Sequence, residues 1–169
     1  RLCEGMGWGV ELRSDVGRGS VFTILVPCAR ATPAEMSRQS AQTSAPSTIR
    51  GRKALVVDDD ARVRDAMQRM LARWGVEAHF CEDGDCALAT LAAGDADARW
   101  HVLVDYRLAG AETGLDVAER IRMRFGARAT CALVTGEVDE ELDRRAAAQD
   151  LLVLRKPVEP ARLRALLAR

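Results

Sequence analysis

Ala54-Leu55-Val56-Val57-Asp58-Asp59-Asp60 is a run of apolar residues that stops abruptly in three carboxylates. Four apolar residues without polar alternation fit a strand covered on both faces, as in a parallel sheet. Neighbouring acids repel and raise each other's pKa unless a cation offsets them, and hard oxygen ligands select Mg²⁺ or Ca²⁺. Acids at such a place also cap a following helix, so the run alone supports both readings.

Three further apolar runs end in polar groups. Trp100-His101-Val102-Leu103-Val104 leads to Asp105, Cys131-Ala132-Leu133-Val134 to Thr135 and Gly136, and Leu151-Leu152-Val153-Leu154 to Arg155, Lys156 and Pro157. Taken singly these are turn formers or caps. In an open parallel α/β sheet, however, ligands bind outside the carboxyl ends of the strands. One rule therefore predicts a cleft holding Asp58, Asp59, Asp105, Thr135 and Lys156.

The intervening segments read as helices. Val63, Met67, Met70, Leu71 and Trp74 recur at helical spacing before Gly75, and this stripe predicts core rather than a cofactor site. Leu88, Leu91 and Ala92 precede Gly94, and Leu115, Ala118, Ile121 and Phe125 precede Gly126. Val138 and Leu142 begin a weaker stripe, and Leu163, Leu166 and Leu167 follow Pro160, a residue suited to a first helical turn. Val76-Glu77-Ala78-His79-Phe80 alternates apolar with polar, which marks a half-exposed strand at an edge. Strand and helix alternate five times, so the prediction is a flavodoxin-like (βα)5 doubly wound parallel sheet of order 2-1-3-4-5. Its switch point lies between the first and third strands, where Asp58, Asp59 and Asp105 face one another. Asp60 is expected to cap a helix, and His79 and His101 to be structural.

Residues 29–52 turn to Ala, Thr, Ser, Pro and Gln, with Met36 and Ile49 the large apolar residues, and read as a flexible linker. Before it, residues 1–28 form a separate piece: Arg1 to Met6 as a helix end, then strands over Trp8 to Leu12 and Val21 to Val26 joined by a turn from Ser14 to Ser20. Gly5-Met6-Gly7-Trp8-Gly9 superficially suggests a phosphate loop, but no helix follows it. A chain of 169 residues suits one good core plus an appendage. It begins at Arg1 without Met, which suggests a piece of something longer. Lys and Arg balance Asp and Glu at 25 each, so no global field favours nucleic acid or a membrane surface, and neither is expected as a partner. Cys3, Cys28, Cys81, Cys86 and Cys131 are odd in number without framework spacing; they are expected to be reduced cytosolic thiols, neither disulfides nor zinc ligands. The sequence has no signal peptide and no apolar stretch of bilayer-spanning length, which predicts a cytoplasmic location.

From Lys53 to Arg169 the chain resembles the receiver domain of two-component signalling, in the acidic pair Asp58 and Asp59, the strand-end Asp105, Thr135, and Lys156-Pro157. The resemblance implies that Asp105 accepts a phosphoryl group from a phosphohistidine, on a kinase or a histidine phosphotransfer protein. It implies that Asp59, Asp105 and the backbone carbonyl of Arg107 hold Mg²⁺, with Asp58 acting through a water. It assigns Lys156 and the Thr135 hydroxyl to the phosphoryl oxygens, a cis peptide to Lys156–Pro157, and places Arg107 within reach of Glu137. Two positions depart from the family: Val153 stands where Tyr or Phe is frequent, and Ala109 where Pro is usual. Residues 1–28 resemble the closing hairpin of a histidine-kinase ATP-binding domain, chiefly in Gly17-Arg18-Gly19-Ser20-Val21-Phe22, which implies a hybrid sensor histidine kinase as parent. The nucleotide-binding motifs of that domain and a phosphoaccepting histidine are missing from this stretch, so the chain itself is expected to be a phosphoacceptor without kinase chemistry. Alternatives are an aspartyl-phosphate hydrolase or phosphatase of similar topology, and a pseudo-receiver serving only as an interaction surface. The hydrolase usually needs an acid/base Asp two residues after its nucleophile, and position 107 is Arg.

Overall fold

The computed structural model describes residues 8–15, 17, 19–26 and 48–169. It divides into two units, residues 1–43 and 44–169. In the first, β1 (Gly9–Asp15) pairs antiparallel with β2 (Gly19–Leu25), Gly9 opposite Leu25 and Asp15 opposite Gly19. The strands run closer to the turn than the sequence predicts: Ser14 and Ser20 face each other, hydroxyl to hydroxyl at 2.7 Å. Positive φ at Gly17 (79°) and Gly19 (94°) supplies the tight reversal that a side chain would resist. The expected helix end at Arg1 to Met6, together with Cys3 and Cys28, lies outside the described residues.

The second unit is a five-stranded sheet of order β4-β3-β5-β6-β7, every neighbouring pair parallel. The strands are β3 (Lys53–Val57), β4 (Glu77–Cys81), β5 (Trp100–Asp105), β6 (Ala129–Thr135) and β7 (Leu152–Arg155). Counted within the unit this is the order 2-1-3-4-5, with the alternating strand at an edge as its pattern required. The helices are α1 (Ala61–Arg73), α2 (Gly84–Ala93), α3 (Gly114–Phe125), α4 (Glu140–Ala148) and α5 (Pro160–Leu167). Successive residues of β3 serve opposite faces. Ala54 and Val56 join Leu71, Trp74, Leu163, Leu166 and Leu167 beneath α1 and α5. Leu55 and Val57 join Ala87, Leu91, Val117, Ala118 and Ile121 beneath α2 and α3. Covering both faces is why the inner strands carry unbroken apolar runs.

Three expectations are corrected. Val138 is exposed, because Asp139 caps α4 and the helix begins only at Glu140; Leu142 alone of that pair is buried. Ile49, assigned to the linker, is fully buried among Trp74, Val76 and the α5 leucines. Its approach is fixed by the Gly51 N–H, which donates to the Gly75 carbonyl at 2.8 Å just after α1. Finally, Cys81 and Cys86 form a disulfide instead of remaining thiols. The reversal from β4 into α2 brings their α-carbons to 5.5 Å, inside the range a disulfide spans, a proximity that an odd count cannot reveal. Cys131 is free and buried as expected, and burial pushes its pKa up to about 12.

Candidate functional site

The site lies at the carboxyl ends of β3, β5, β6 and β7. Asp58 follows β3 and Asp105 ends β5; these strands are direct neighbours with Val57 opposite Val104, so the acids meet at the switch point. Carboxylate oxygens of Asp58, Asp59 and Asp105 lie within 4.8 Å of one another. Asp58 and Asp105 are buried and Asp59 is exposed. The Asp58 carboxylate accepts from the Asp60 N–H at 3.0 Å, while the Asp60 carboxylate turns away to cap α1, accepting from the Arg62 N–H at 2.9 Å. Side-chain bonds from Arg62 hold the Asp60 pKa down at about 2. The division between a site acid and a cap is thus visible inside a single Asp-Asp-Asp run.

Lys156 crosses to these acids from the far edge. Its Nζ lies 3.0 Å from Asp105 Oδ1 and 3.4 Å from Asp58 Oδ2. Its backbone N–H donates to the Thr135 carbonyl at 2.8 Å, tying β7's end to β6's, and the Lys156–Pro157 peptide is cis. Burial works against the Lys156 ammonium, but Asp105 and Asp58 outweigh it and raise its pKa above the ordinary lysine value. Burial is likewise the largest influence on Asp105; helped by the Asp58 charge, it outweighs Lys156 and raises the Asp105 pKa. The buried Thr135 hydroxyl accepts from the Glu137 N–H at 3.0 Å and keeps its own hydrogen to donate. Arg107 and Glu137 form an ion pair across the loops after β5 and β6. His101 is buried in β5 with its pKa lowered by burial and by Arg52, and stands apart from these acids at the opposite end of its strand.

Two arginines have roles at the site that the sequence does not assign. Arg64, one turn into α1, donates from Nη1 to the backbone carbonyls of Asp58 at 2.6 Å and Asp59 at 3.0 Å, bracing the acidic turn. Arg155 donates to the Glu137 carbonyl and, at 2.6 Å, to Asp143 Oδ2, so it ties the loop after β6 to α4. A basic residue within two turns of the acidic run is the signal for Arg64. For Arg155 the signal is weaker, since its partners lie 12 and 18 positions away. Val153 packs beside Leu115, Leu133 and Leu142, where the family often places an aromatic ring.

Oxygen ligands gathered this closely, with two of the three acids buried and an ammonium already drawn in, fit Mg²⁺ or a similar hard cation. Fold and site together define a doubly wound α/β domain with its polar chemistry at the topological switch point. Comparison with known proteins makes that class specific. The model of the family described as the response regulator receiver domain matches residues 54–168, and the chain belongs to this family. A sensor histidine kinase, AtsR of Burkholderia thailandensis, is 33% identical over 113 residues, which are 67% of this chain and 18% of that one. The chain thus spans about a fifth of the length of that relative. Among solved structures, a response regulator receiver protein from Pseudomonas putida superposes with a TM-score of 0.61 at 27% identity, covering 69% of this chain and 95% of that one. The chemotaxis protein CheY4 of Vibrio cholerae gives 0.59 at 26%, covering 69% and 96%. The chain is a phosphoacceptor domain of two-component signalling, and the phosphatase and pseudo-receiver readings are not favoured. Receiver domains bind Mg²⁺ at an acidic cluster, and this chain has such a cluster. Among the described residues no helix is long and apolar enough to cross a membrane.

Proposed function

We propose that Asp105 takes the phosphoryl group from a phosphohistidine, with Asp58, Asp59, Asp105 and the Arg107 carbonyl as the Mg²⁺ site and with Lys156 and Thr135 as partners of the transferred group. One observation carries this reading: the Lys156 ammonium sits 3.0 Å from the Asp105 carboxylate inside the acidic cluster. The Asp105 oxygen attacks phosphorus opposite the imidazole nitrogen. An O–P bond forms, the P–N bond breaks, and the nitrogen keeps the electron pair and takes up a proton. Such a transfer leaves the protein chiefly positioning and charge stabilisation to do. Lys156 exchanges its carboxylate partner for a phosphoryl oxygen, and the Thr135 hydroxyl donates to another. A bound cation supplies the charge that lets three carboxylates and a phosphoryl group share one cleft. Incubation with a small phosphodonor and Mg²⁺, followed by intact mass measurement, tests the reading: one added phosphoryl group, about 80 Da, is expected.

Two further outcomes follow from the geometry. Asp59→Ala is expected to weaken the Mg²⁺ dependence of phosphate uptake by roughly tenfold or more, as loss of a metal-site carboxylate would. Asp60→Ala leaves that dependence intact and costs only about 1 kcal/mol of stability, the weight of a helix cap. Equal loss of Mg²⁺ affinity in both variants, read by titration, would refute the split. The Arg107–Glu137 pair, whose arginine is 81% exposed, is worth at most about 1 kcal/mol to the fold. Spanning the loops beside Asp105, it obstructs water approaching in line behind phosphorus. Arg107→Ala and Glu137→Ala are each expected to speed dephosphorylation about two- to fivefold, with the double variant no faster than either. Additive effects in that cycle would show that no gate exists.

The parent we propose is a hybrid sensor histidine kinase, with residues 1–28 ending its ATP-binding domain, 29–52 as linker and 53–169 as receiver, located in the cytoplasm. The matched sensor histidine kinase supports a kinase as the parent.

A further inference from the structure

We propose that Cys81 and Cys86 are a reversible disulfide site whose closed form steadies Asp58, so that thiol redox state tunes the acidic cluster. This regulation rests on the phosphoacceptor reading above. Cys81 ends β4 and pairs with Val57 at the end of β3. Its carbonyl accepts from the Asp58 N–H at 3.1 Å, directly holding the backbone of a site acid. Cys86 lies in the first turn of α2, where its N–H donates to the capping carboxylate of Asp83 at 2.8 Å. The bridge therefore closes the 82–85 turn into a ring and pins the strand end that positions Asp58 to the start of a helix. Opening it leaves that strand end, at the sheet's edge, without a covalent tie to α2, held by the β3 ladder, core packing and the contact of Cys81 Sγ with Thr90 Oγ1 at 3.4 Å.

The two sulfurs are unequal. Cys81 is 2% exposed, whereas Cys86 is half-buried and is the one an exchange partner can meet. The partner is a low-molecular-weight disulfide such as oxidised glutathione. The Cys86 thiolate attacks it and releases one small thiol, then the Cys81 thiolate attacks the mixed disulfide at Cys86 Sγ and releases the second. Two protein thiols are oxidised, one small disulfide is reduced to two thiols, and the two thiol protons pass to the leaving thiolates. The buried Cys131, whose pKa burial pushes up to about 12, yields little thiolate to compete. In a thiol-buffered compartment a disulfide is a transient or sensing feature more often than a structural one.

The test takes the full 169-residue chain through a series of glutathione ratios, followed by alkylation, peptide mass mapping and amide hydrogen exchange at Asp58. Oxidation is expected to remove about 2 Da, mapped to Cys81 and Cys86, and dithiothreitol to restore it without unfolding. The Asp58 amide is expected to exchange about fivefold more slowly in the oxidised form, the weight of one backbone hydrogen bond. Cys86→Ser should show the faster rate under both conditions. A bridge that never forms, that resists dithiothreitol in the folded chain, that involves another cysteine, or that leaves the Asp58 exchange unchanged would overturn the proposal. Phosphate uptake measured in parallel should rise by a similar factor on oxidation. Its absence in both states would instead count against Asp105 as phosphoacceptor, while the exchange rates still decide the redox link.

Discussion

Asp105→Asn is expected to take up no phosphate from a small phosphodonor with Mg²⁺, against nearly complete modification of the wild-type chain. Of the three clustered acids, Asp105 lies nearest to Lys156, at 3.0 Å against 3.4 Å for Asp58, so on the proposed assignment the attacking group and the cation that receives the phosphoryl charge already touch. An amide oxygen is too weak a nucleophile to replace it. The loss is not one of folding. Burial raises the Asp105 pKa in the fold, so the ionised carboxylate is disfavoured there relative to the unfolded chain. A raised folded pKa contributes stability below the unfolded pKa of about 4, and that contribution is lost as pH rises through the folded value. At neutral pH without metal the wild type therefore carries the cost of this charge, and Asp105→Asn is expected to melt at the same temperature or higher. Persistent phosphate addition in the variant would sink the assignment, and a lower melting temperature without metal would sink the electrostatic account.

Gly114→Ala is expected to lower Tm by roughly 10 °C, through an overpacking cost of about 3 kcal/mol, and to depress phosphate uptake with it. Gly114 is the first residue of α3, buried against the backbone at the end of β5. A Cβ there would fall well inside van der Waals contact of the Asp105 carbonyl oxygen, and 2.9 Å from both the Asp105 carbonyl carbon and Tyr106 Cα. Those are backbone atoms, which cannot step aside as a flexible side chain can. The Gly114 N–H also donates to the Tyr106 carbonyl at 2.8 Å, so the helix start cannot retreat without breaking that bond. Gly136→Ala serves as the control, since its Cβ would meet nothing nearer than Lys156 Cβ at 3.9 Å. Thermal unfolding of the two variants side by side checks the contrast. Equal Tm values would show that the loop after β5 yields more easily than its packing implies.

The inner strands were legible because burial on both faces demands unbroken apolar runs, and the edge strand β4 because its alternation records one exposed side. The site acids were legible because they end those runs. Their gathering follows from strand order alone: β3 and β5 are neighbours, so Asp58 and Asp105 must meet. Their roles are another matter. Spacing says only that acids, a hydroxyl and a lysine share an edge; the assignment of Asp105 as phosphoacceptor came from family resemblance. Val138 was misread because an isolated apolar residue beside a helix carries no information about where the cap falls.

What the sequence by itself determined is the set of elements, their order in the sheet and the residues at its carboxyl edge, since each depends on periodicity within a short segment or on a general rule of parallel sheets. What only the tertiary structure decided is the company those residues keep. Arg64 bracing the acidic turn, Arg155 joining the Glu137 loop to α4, Ile49 entering the core and Cys81 meeting Cys86 all depend on where chain reversals and neighbouring elements place side chains. A charge or a thiol is compatible with many partners in sequence. Packing narrows them to a few, because the strands fix the backbone to within a hydrogen bond and leave the side chains only the neighbours within reach.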